Sequence, residues 1–441
     1  MIFERCLDQL TDLESARVQG RVRQAVGLVV EAEGLALPVG AACEIRTVGG
    51  GPAVACEVVG FRDEVALLMP LGELQGVRRG DVVRCLASAQ RVAVGRGLLG
   101  RVIDSQGQPL DGGPPIGHER LNPLHARAPH PLGRERILQA LGTGVRAIDA
   151  LHTCGKGQRL GLFAGSGVGK STLLGMCARG TAAQVTVIAL VGERGREVRE
   201  FIEKDLGPEG LRRSVVVVET SERPALLRVK APFAATAVAE YFRDEGMDVL
   251  LLMDSITRMA NAQREVGLSA KEPPATKGYP PSVFAMLPRL LERAGRSDKG
   301  SITGIYTVLV EGDDVNEPIA DTSRSILDGH IWLSRDLAVR NHYPALDVLS
   351  SISRLMIDVT GPEHQEAAAR VKTLLAAHKG AEDLISVGMY AKGSNPEVDQ
   401  AVQAYPGIQK FLRQSIQEKP SLEETRRALL ELVKGFGGGS K

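Results

Sequence analysis

Aromatic side chains are scarce in this sequence: Phe, Trp and Tyr make up 4% of it, with one Trp. Net charge is scarce as well, at +1 from 54 Lys and Arg against 53 Asp and Glu. A groove that tracks single-stranded nucleic acid interleaves aromatic and basic residues, and neither that pattern nor a global basic field is present. No nucleic-acid partner is expected. Long hydrophobic runs are missing too, since none approaches the ~18 residues of a membrane span. The start, Met1-Ile-Phe-Glu-Arg-Cys, lacks the basic residues and apolar stretch of a secretory signal. The six cysteines, at 6, 43, 56, 85, 154 and 177, have no Cys-x-x-Cys spacing and read as reduced, mostly buried residues of a cytosolic protein. His118, His125 and His130 lie close together, but among Pro123, Pro129 and Pro131. Such a stretch does not hold rigid imidazoles, so no metal set is expected there. The remaining bulk, 441 residues with 43% hydrophobic and 24% charged, fits a globular protein of two or three domains.

Glycine is plentiful, and its densest use marks the chain's centre. Arg159 to Ala164 reads as a short apolar strand, followed by Gly165-Ser166-Gly167-Val168-Gly169 and then Lys170-Ser171-Thr172 at a helix start. Strand, glycine-rich turn and helix are the context a phosphate-binding loop requires. The glycines let several N–H groups turn inward on one anion, and the helix N-terminus adds partial positive charge. Lys170 can reach the β- and γ-phosphates, and Ser171 offers a hydroxyl to Mg²⁺. The pattern usually opens with Gly. Ala164 stands there instead, at a position that supplies only backbone.

Along the chain, residues 1–20 place Phe3, Leu7, Leu10 and Val18 at helical spacing. This reads either as a helix packed on its own domain or as a helix that docks a partner. Residues 21–90 hold short β-rich runs (Ala25–Glu31, Cys43–Val48, Ala53–Phe61, Val65–Pro70) broken by Gly and Pro, as in a small closed barrel. Residues 91–361 hold a turn-rich connector and then apolar strands alternating with helical stretches: Val185–Val191, Ser214–Glu219, Val249–Met253, Ile302–Val310 and His330–Leu333. That alternation predicts an α/β domain with a mainly parallel sheet covered on both faces. Residues 362–441 turn helical. A helix is expected over Glu363–Lys379, one capped by Asn395-Pro396, and one from the Ser421/Glu424 capping box to Lys434, closed by Gly435. The tail 437–441 is expected to be disordered.

Two further acids suit the loop. Val249-Leu-Leu-Leu-Met-Asp254 is an apolar strand ending in a carboxylate, the Walker-B arrangement, which would bring Asp254 near Ser171 to hold the metal's water shell. Glu193 ends the strand Val187-Ile-Ala-Leu-Val-Gly-Glu193 and can orient or deprotonate the attacking water. Arg194 next to it can sense the γ-phosphate, although Arg196, Glu197, Arg199 and Glu200 also allow a surface ion-pair cluster. On chemistry alone, Arg354 is one Arg among many.

The combination of GERGREVREF (192–201), MDSITR (253–258), PPATKGYPPSVF (273–284), EGDDVNEPIAD (311–321), SILDGHI (325–331) and HYPALDVLSSISR (342–354) resembles the ATPases of type III protein export. These are relatives of the catalytic subunits of rotary ATP synthases. FAGSGVGKS (163–171), GLLGRVID (97–104) and MYAKGSNPEVDQAV (389–402) look most like the flagellar branch. The resemblance implies a RecA-like P-loop domain between an N-terminal β-barrel and a C-terminal helical domain. It implies a homohexamer with ATP and Mg²⁺ at subunit interfaces, cytoplasmic and peripheral to the inner-membrane export gate. Lys170, Ser171, Glu193, Arg194 and Asp254 match the family's phosphate, metal, catalytic, γ-phosphate and Walker-B positions. Tyr343 matches an aromatic beside the adenine, and Arg354 an arginine finger serving the neighbour's site. Implied partners are a dimeric regulatory protein at the N-terminus, a central stalk protein, and export chaperones with their flagellar substrates. A virulence injectisome ATPase and a rotary synthase subunit are the alternatives.

Overall fold

A computed structural model of the chain describes residues 18–47, 51–310, 314 and 316–436. Six antiparallel strands close a barrel in the order Gln19–Val26, Val29–Glu33, Val65–Pro70, Val54–Arg62, Ala42–Arg46 and Val82–Ala87, with the last pairing back onto the first. Alternate side chains point inward and fill it: Val22, Val30, Ile45, Val58, Leu68 and Val83, together with Cys43 and Cys56. The run expected as one strand, Ala25–Glu31, is two strands joined by a two-residue turn, because Val26 pairs with Val29. The strand Val82–Ala87 has no counterpart in the sequence reading. It carries Arg84 and follows the charged Arg78-Arg79-Gly80-Asp81, which hides its period. A helix over 1–20 does not extend that far. Gln19 and Gly20 already belong to the barrel, and Val18 packs on its core. Phe3, Leu7 and Leu10 lie outside the described residues, as do Cys6 and the tail 437–441.

The second layer is a nine-stranded sheet. Its order is Leu346–Ser353, Gly329–Leu333, Arg159–Ala164, Ser301–Leu309, Asp248–Asp254, Val185–Glu193, Ser214–Thr220 and Val102–Ile103, with Gly295–Arg296 paired off this path to Ser301–Leu309. From Gly329–Leu333 to Val102–Ile103 the neighbours along this order run parallel. The central strands are buried on both faces, so alternate residues serve two cores. Val187, Ala189 and Val191 face helices Ala225–Asp244 and Ile256–Ser269. Ile188 and Leu190 lie on the other face, in the core that includes helix Lys170–Gly180. Each such Val, Leu or Ile contributes about 1.5–3 kcal/mol when fully buried.

Leu346–Ser353 is an antiparallel edge strand that the sequence does not announce, because half of it faces solvent and its second half is serine-rich. After the single turn Met356–Val359, three longer helices follow: Pro362–Ser386, Pro396–Leu412 and Leu422–Phe436. Asn395 Oδ1 accepts from the N–H groups of Glu397 and Val398 at 3.0 and 3.4 Å. Ser421 and Glu424 bond reciprocally, at 2.7 Å from the Ser421 N–H and 3.2 Å from the Glu424 N–H. Gly435 does not end the last helix, which continues to Phe436.

Candidate active site at the phosphate-binding loop

Parallel strands all end at one edge of a sheet, so the residues that close them gather there. Arg159–Ala164 enters the glycine-rich loop between Ser301–Leu309 and Gly329–Leu333. Gly167 and Gly169 adopt φ of 79° and 91°, and Gly169 caps the helix that Lys170 begins. Ser166, Gly167 and Ser171 are exposed, whereas Gly165 and Val168 are buried beneath them. The Thr172 hydroxyl bonds Asp205. Lys170 Nζ lies 2.5 Å from Asp254 Oδ1 and 3.5 Å from Glu193 Oε1. The same Asp254 oxygen accepts from the Thr307 hydroxyl at 2.7 Å. The sheet edge thus brings Lys170, Glu193 and Asp254 into one cluster.

Arg258 completes it. The residue lies in the first turn of helix Ile256–Ser269, whose N-cap is Ser255, and its Nη1 donates to the Gly192 carbonyl at 2.6 Å. Its Nη2 and Nε stand 3.3 Å from the two Glu193 carboxylate oxygens. Sequence reasoning missed Arg258. The signal is its place four residues after Asp254, where the helix that follows a strand turns its first residues back to the same sheet edge. Burial pushes the Glu193 carboxyl up to about 7, with Asp254 and a hydrogen bond to Glu197 acting the same way and Lys170 and Arg258 acting against. Glu193 Oε1 is buried and accepts no hydrogen bond among the described residues. Its contacts there are two cations, Lys170 Nζ at 3.5 Å and Arg258 Nε at 3.3 Å.

Of the other expected residues, Arg194 and Arg354 lie apart and Tyr343 does not. Arg194 turns away from the cluster; its side chain is 73% exposed and pairs with Glu197 at 3.8 Å. Tyr343 stands beside the loop, since a Cβ built on Gly169 would come within 3.5 Å of its ring. Arg354 is at the opposite edge of the sheet. Leu346 pairs with Leu333 at the loop's edge, and the strand, bulged between Asp347 and Ile352, runs back until Ser353 pairs with Gly329, roughly 13 Å away along the partner strand at ~3.3 Å per residue.

The donor set tests the fit to a metal. Among the described residues no group of three or more His, Cys, Asp or Glu is placed to hold an ion. What stands at the loop is two carboxylates, Asp254 and Glu193, and one exposed hydroxyl, Ser171. That set suits Mg²⁺, which keeps its own waters and leans on phosphate oxygens.

Comparison with known proteins agrees with this architecture. The ATP synthase alpha/beta family matches through its nucleotide-binding domain over residues 144–353 and its beta-barrel domain over 22–87. The T3SS EscN ATPase C-terminal domain matches over 360–431. The chain is 53% identical over 436 residues to a flagellum-specific ATP synthase of Bacillus subtilis, covering 98% of this chain and 99% of that one. It is 50% identical over 425 residues to a type 3 secretion system ATPase of Xanthomonas euvesicatoria, covering 96% of each. The assembled ATPase EscN of the enteropathogenic E. coli type III secretion system superposes with a TM-score of 0.87 at 47% identity, over 94% of this chain and 100% of that one. A second structure describes that ATPase in complex with its central stalk EscO, at 46% identity and the same TM-score and coverage. By likeness over nearly its whole length, the chain belongs to the ATP synthase alpha/beta family, among its flagellum-specific and type III secretion ATPases.

Proposed function

We propose that the chain is the ATP-hydrolysing subunit of a flagellar protein export apparatus, working as a homohexamer that unfolds substrates or releases their chaperones at the membrane gate. The observation that carries the chemistry is the cluster of Lys170, Glu193, Asp254 and Arg258 at the mouth of the glycine-rich loop. Backbone N–H groups from Gly165 to Thr172 cradle the phosphates of ATP, and Lys170 neutralises the β- and γ-oxygens. Ser171 and Asp254 hold Mg²⁺, which when bound supplies positive charge at the phosphate oxygens. Glu193 orients the water and takes its proton, while Arg258 favours the carboxylate form and fixes its direction. Tyr343 lies against the adenine. Arg194 makes a γ-phosphate contact only if its exposed side chain swings in.

Arg354 supports the ring. It is exposed and sits at the end of the sheet away from its own loop, so the finger role assigned to it is exercised on a neighbour. Leu349, Ile352 and Ile357 beside it are 36%, 46% and 70% exposed, an apolar surface suited to a second subunit. A central stalk fits the comparison with EscN and EscO. The dimeric regulator and the export chaperones, and a peripheral place at the inner membrane, follow from the same family reading. No described helix is long and apolar enough to cross a membrane. The flagellar reading rests on the loop-region and 389–402 motifs. The injectisome reading draws on relatives such as the Xanthomonas protein.

Phosphate release by purified protein, with and without Mg²⁺, tests the enzyme. Lys170→Ala should abolish both binding and release. Complementation tests the setting: the intact gene should restore motility to a flagellated host lacking its export ATPase, and the Lys170→Ala gene should not. Rescue of toxin injection without rescue of motility would transfer the protein to the injectisome.

A further inference from the structure

Helix Pro396–Leu412 runs into a short stretch whose ties to the nucleotide domain centre on the side-chain amide of Gln414. Gln414 is 6% exposed. Its Oε1 accepts from the Arg146 N–H at 2.7 Å, and its Nε2 donates to the carbonyls of Gly144 at 2.8 Å and Glu418 at 3.0 Å. Its own N–H donates to the Tyr343 carbonyl at 3.0 Å. Both amide protons and the oxygen are thus committed, which fixes the side chain in one orientation.

Two of these partners, Gly144 and Tyr343, flank the two ends of the P-loop helix Lys170–Gly180. Gly144 lies so close to the helix's last residue that a Cβ on it would sit 2.5 Å from the Gly180 Cα. Its φ of 76° also favours glycine there. Tyr343 flanks Gly169, the residue that caps the helix's first turn. Arg146 reinforces the knot from the other side. Its Nη1 donates to the carbonyls of Phe411 and Arg413 at 3.0 and 3.1 Å, the unsatisfied end of helix Pro396–Leu412, and its Nη2 pairs with Glu418 at 2.5 Å.

We propose that Gln414 is a positioning residue for the nucleotide site, through which the C-terminal helices set the place of Tyr343 and so the hold on the base. It touches no nucleotide itself. The proposal rests on the reading of Tyr343 as the neighbour of the adenine. A partner that tilts helix Pro396–Leu412 would change nucleotide affinity through this amide, and nucleotide would bias that partner by the same factor, because coupling is reciprocal.

The test uses the full chain with Mg·ATP and four variants: Gln414→Leu, Tyr343→Ala, their combination, and Ser421→Ala as a control. Ser421→Ala weakens the last helix without touching Tyr343, Gly144 or Arg146. Gln414→Leu is expected to raise KM for ATP about tenfold, inside the ~5–150-fold range of coupled sites, while kcat moves less than about twofold. Inhibition by ADP should weaken in parallel, and inhibition by inorganic tripolyphosphate, which has no base, should not. In the Tyr343→Ala background the Gln414 change should add almost nothing, and Ser421→Ala should leave KM where it was. An unchanged KM in an active Gln414→Leu protein overturns the proposal. So does an equal loss of tripolyphosphate affinity, full additivity with Tyr343→Ala, or an equal KM rise in the Ser421→Ala control, since each describes a loosened fold. Should Gln414→Leu not fold, Arg146→Lys frees the same helix end while keeping Gln414. It should raise KM in the same direction, and a flat KM there is equally fatal. A parent protein that hydrolyses no ATP would sink the ATPase reading instead.

Discussion

Glu193 sits between opposing demands. Its burial, with Asp254 and Glu197, favours the acid, and Lys170 and Arg258 favour the carboxylate that a water-orienting group requires. Glu193→Gln keeps shape and hydrogen-bonding capacity but cannot take a proton. Nucleotide affinity should stay within about threefold while turnover falls by about 10²–10⁴, read by fluorescent-nucleotide binding and phosphate release. Parent-like turnover would remove Glu193 from the mechanism. The same shift makes a stability statement. The folded carboxyl titrates near 7, above its unfolded value of about 4.3, so the folded state binds the proton more tightly. The contribution of the protonated form is therefore present at low pH and lost as pH rises through about 7. In nucleotide-free buffer with chelator, the Tm of Glu193→Gln relative to the parent should be more favourable at pH 8 than at pH 5. A gap independent of pH would mean that Glu193 is not the strained acid described. Arg258 acts on the same group with the opposite sign. Arg258→Ala should move the acid limb of kcat/KM to higher pH, and a limb that stays in place would separate Arg258 from Glu193.

At the level of elements, caps and strand ends are where local chemistry shows through. Asn395→Ala removes two accepted hydrogen bonds and should cost about 1 kcal/mol, visible as a lower Tm at unchanged turnover. Lost turnover would mean that the C-terminal helices act on the site far more directly. Deleting residues 1–17 should leave the barrel closed, because Gln19 already pairs with Arg84, while weakening the titrated affinity for the dimeric regulator. Unchanged affinity would exclude a docking role. These elements also show what a sequence discloses. Lys170, Glu193 and Asp254 are legible as a cluster because each closes or follows an apolar strand, and parallel strands share an edge. Asn395 and Ser421 are legible because their bonds are made within three residues. Arg258 is not legible, since its direction depends on how the helix after Ser255 turns. The edge strand Leu346–Ser353 is hidden by its polar, half-exposed pattern, and with it the placement of Arg354. Gln414 depends on segments about 270 residues distant along the chain, which no local window contains.

The whole molecule is larger than one chain if Arg354 works as proposed. The residue lies at the edge of the sheet opposite its own P-loop, about 13 Å back along strand Gly329–Leu333, so the chain's own fold directs it away from its own ATP. Leu349, Ile352 and Ile357 around it offer the apolar area by which a neighbour could be seated. A finger of this kind is worth roughly 10³–10⁵ in rate in related phosphoryl transfer. Arg354→Ala should therefore bind ATP nearly as the parent does and turn it over poorly. Mixing then separates action on the neighbour from action within one chain. Subunits with Lys170→Ala lack a working loop but still own a finger, and subunits with Arg354→Ala own a working loop but offer none. Combined in rings whose subunit exchange is followed by cross-linking, the two inactive proteins should recover part of the parent rate, since some interfaces then join an intact finger to an intact loop. Exchange without recovery would leave Arg354 acting within its own chain, against the register of its strand. Full activity of Arg354→Ala alone would make the residue part of the surface, and the ring dispensable for the chemistry.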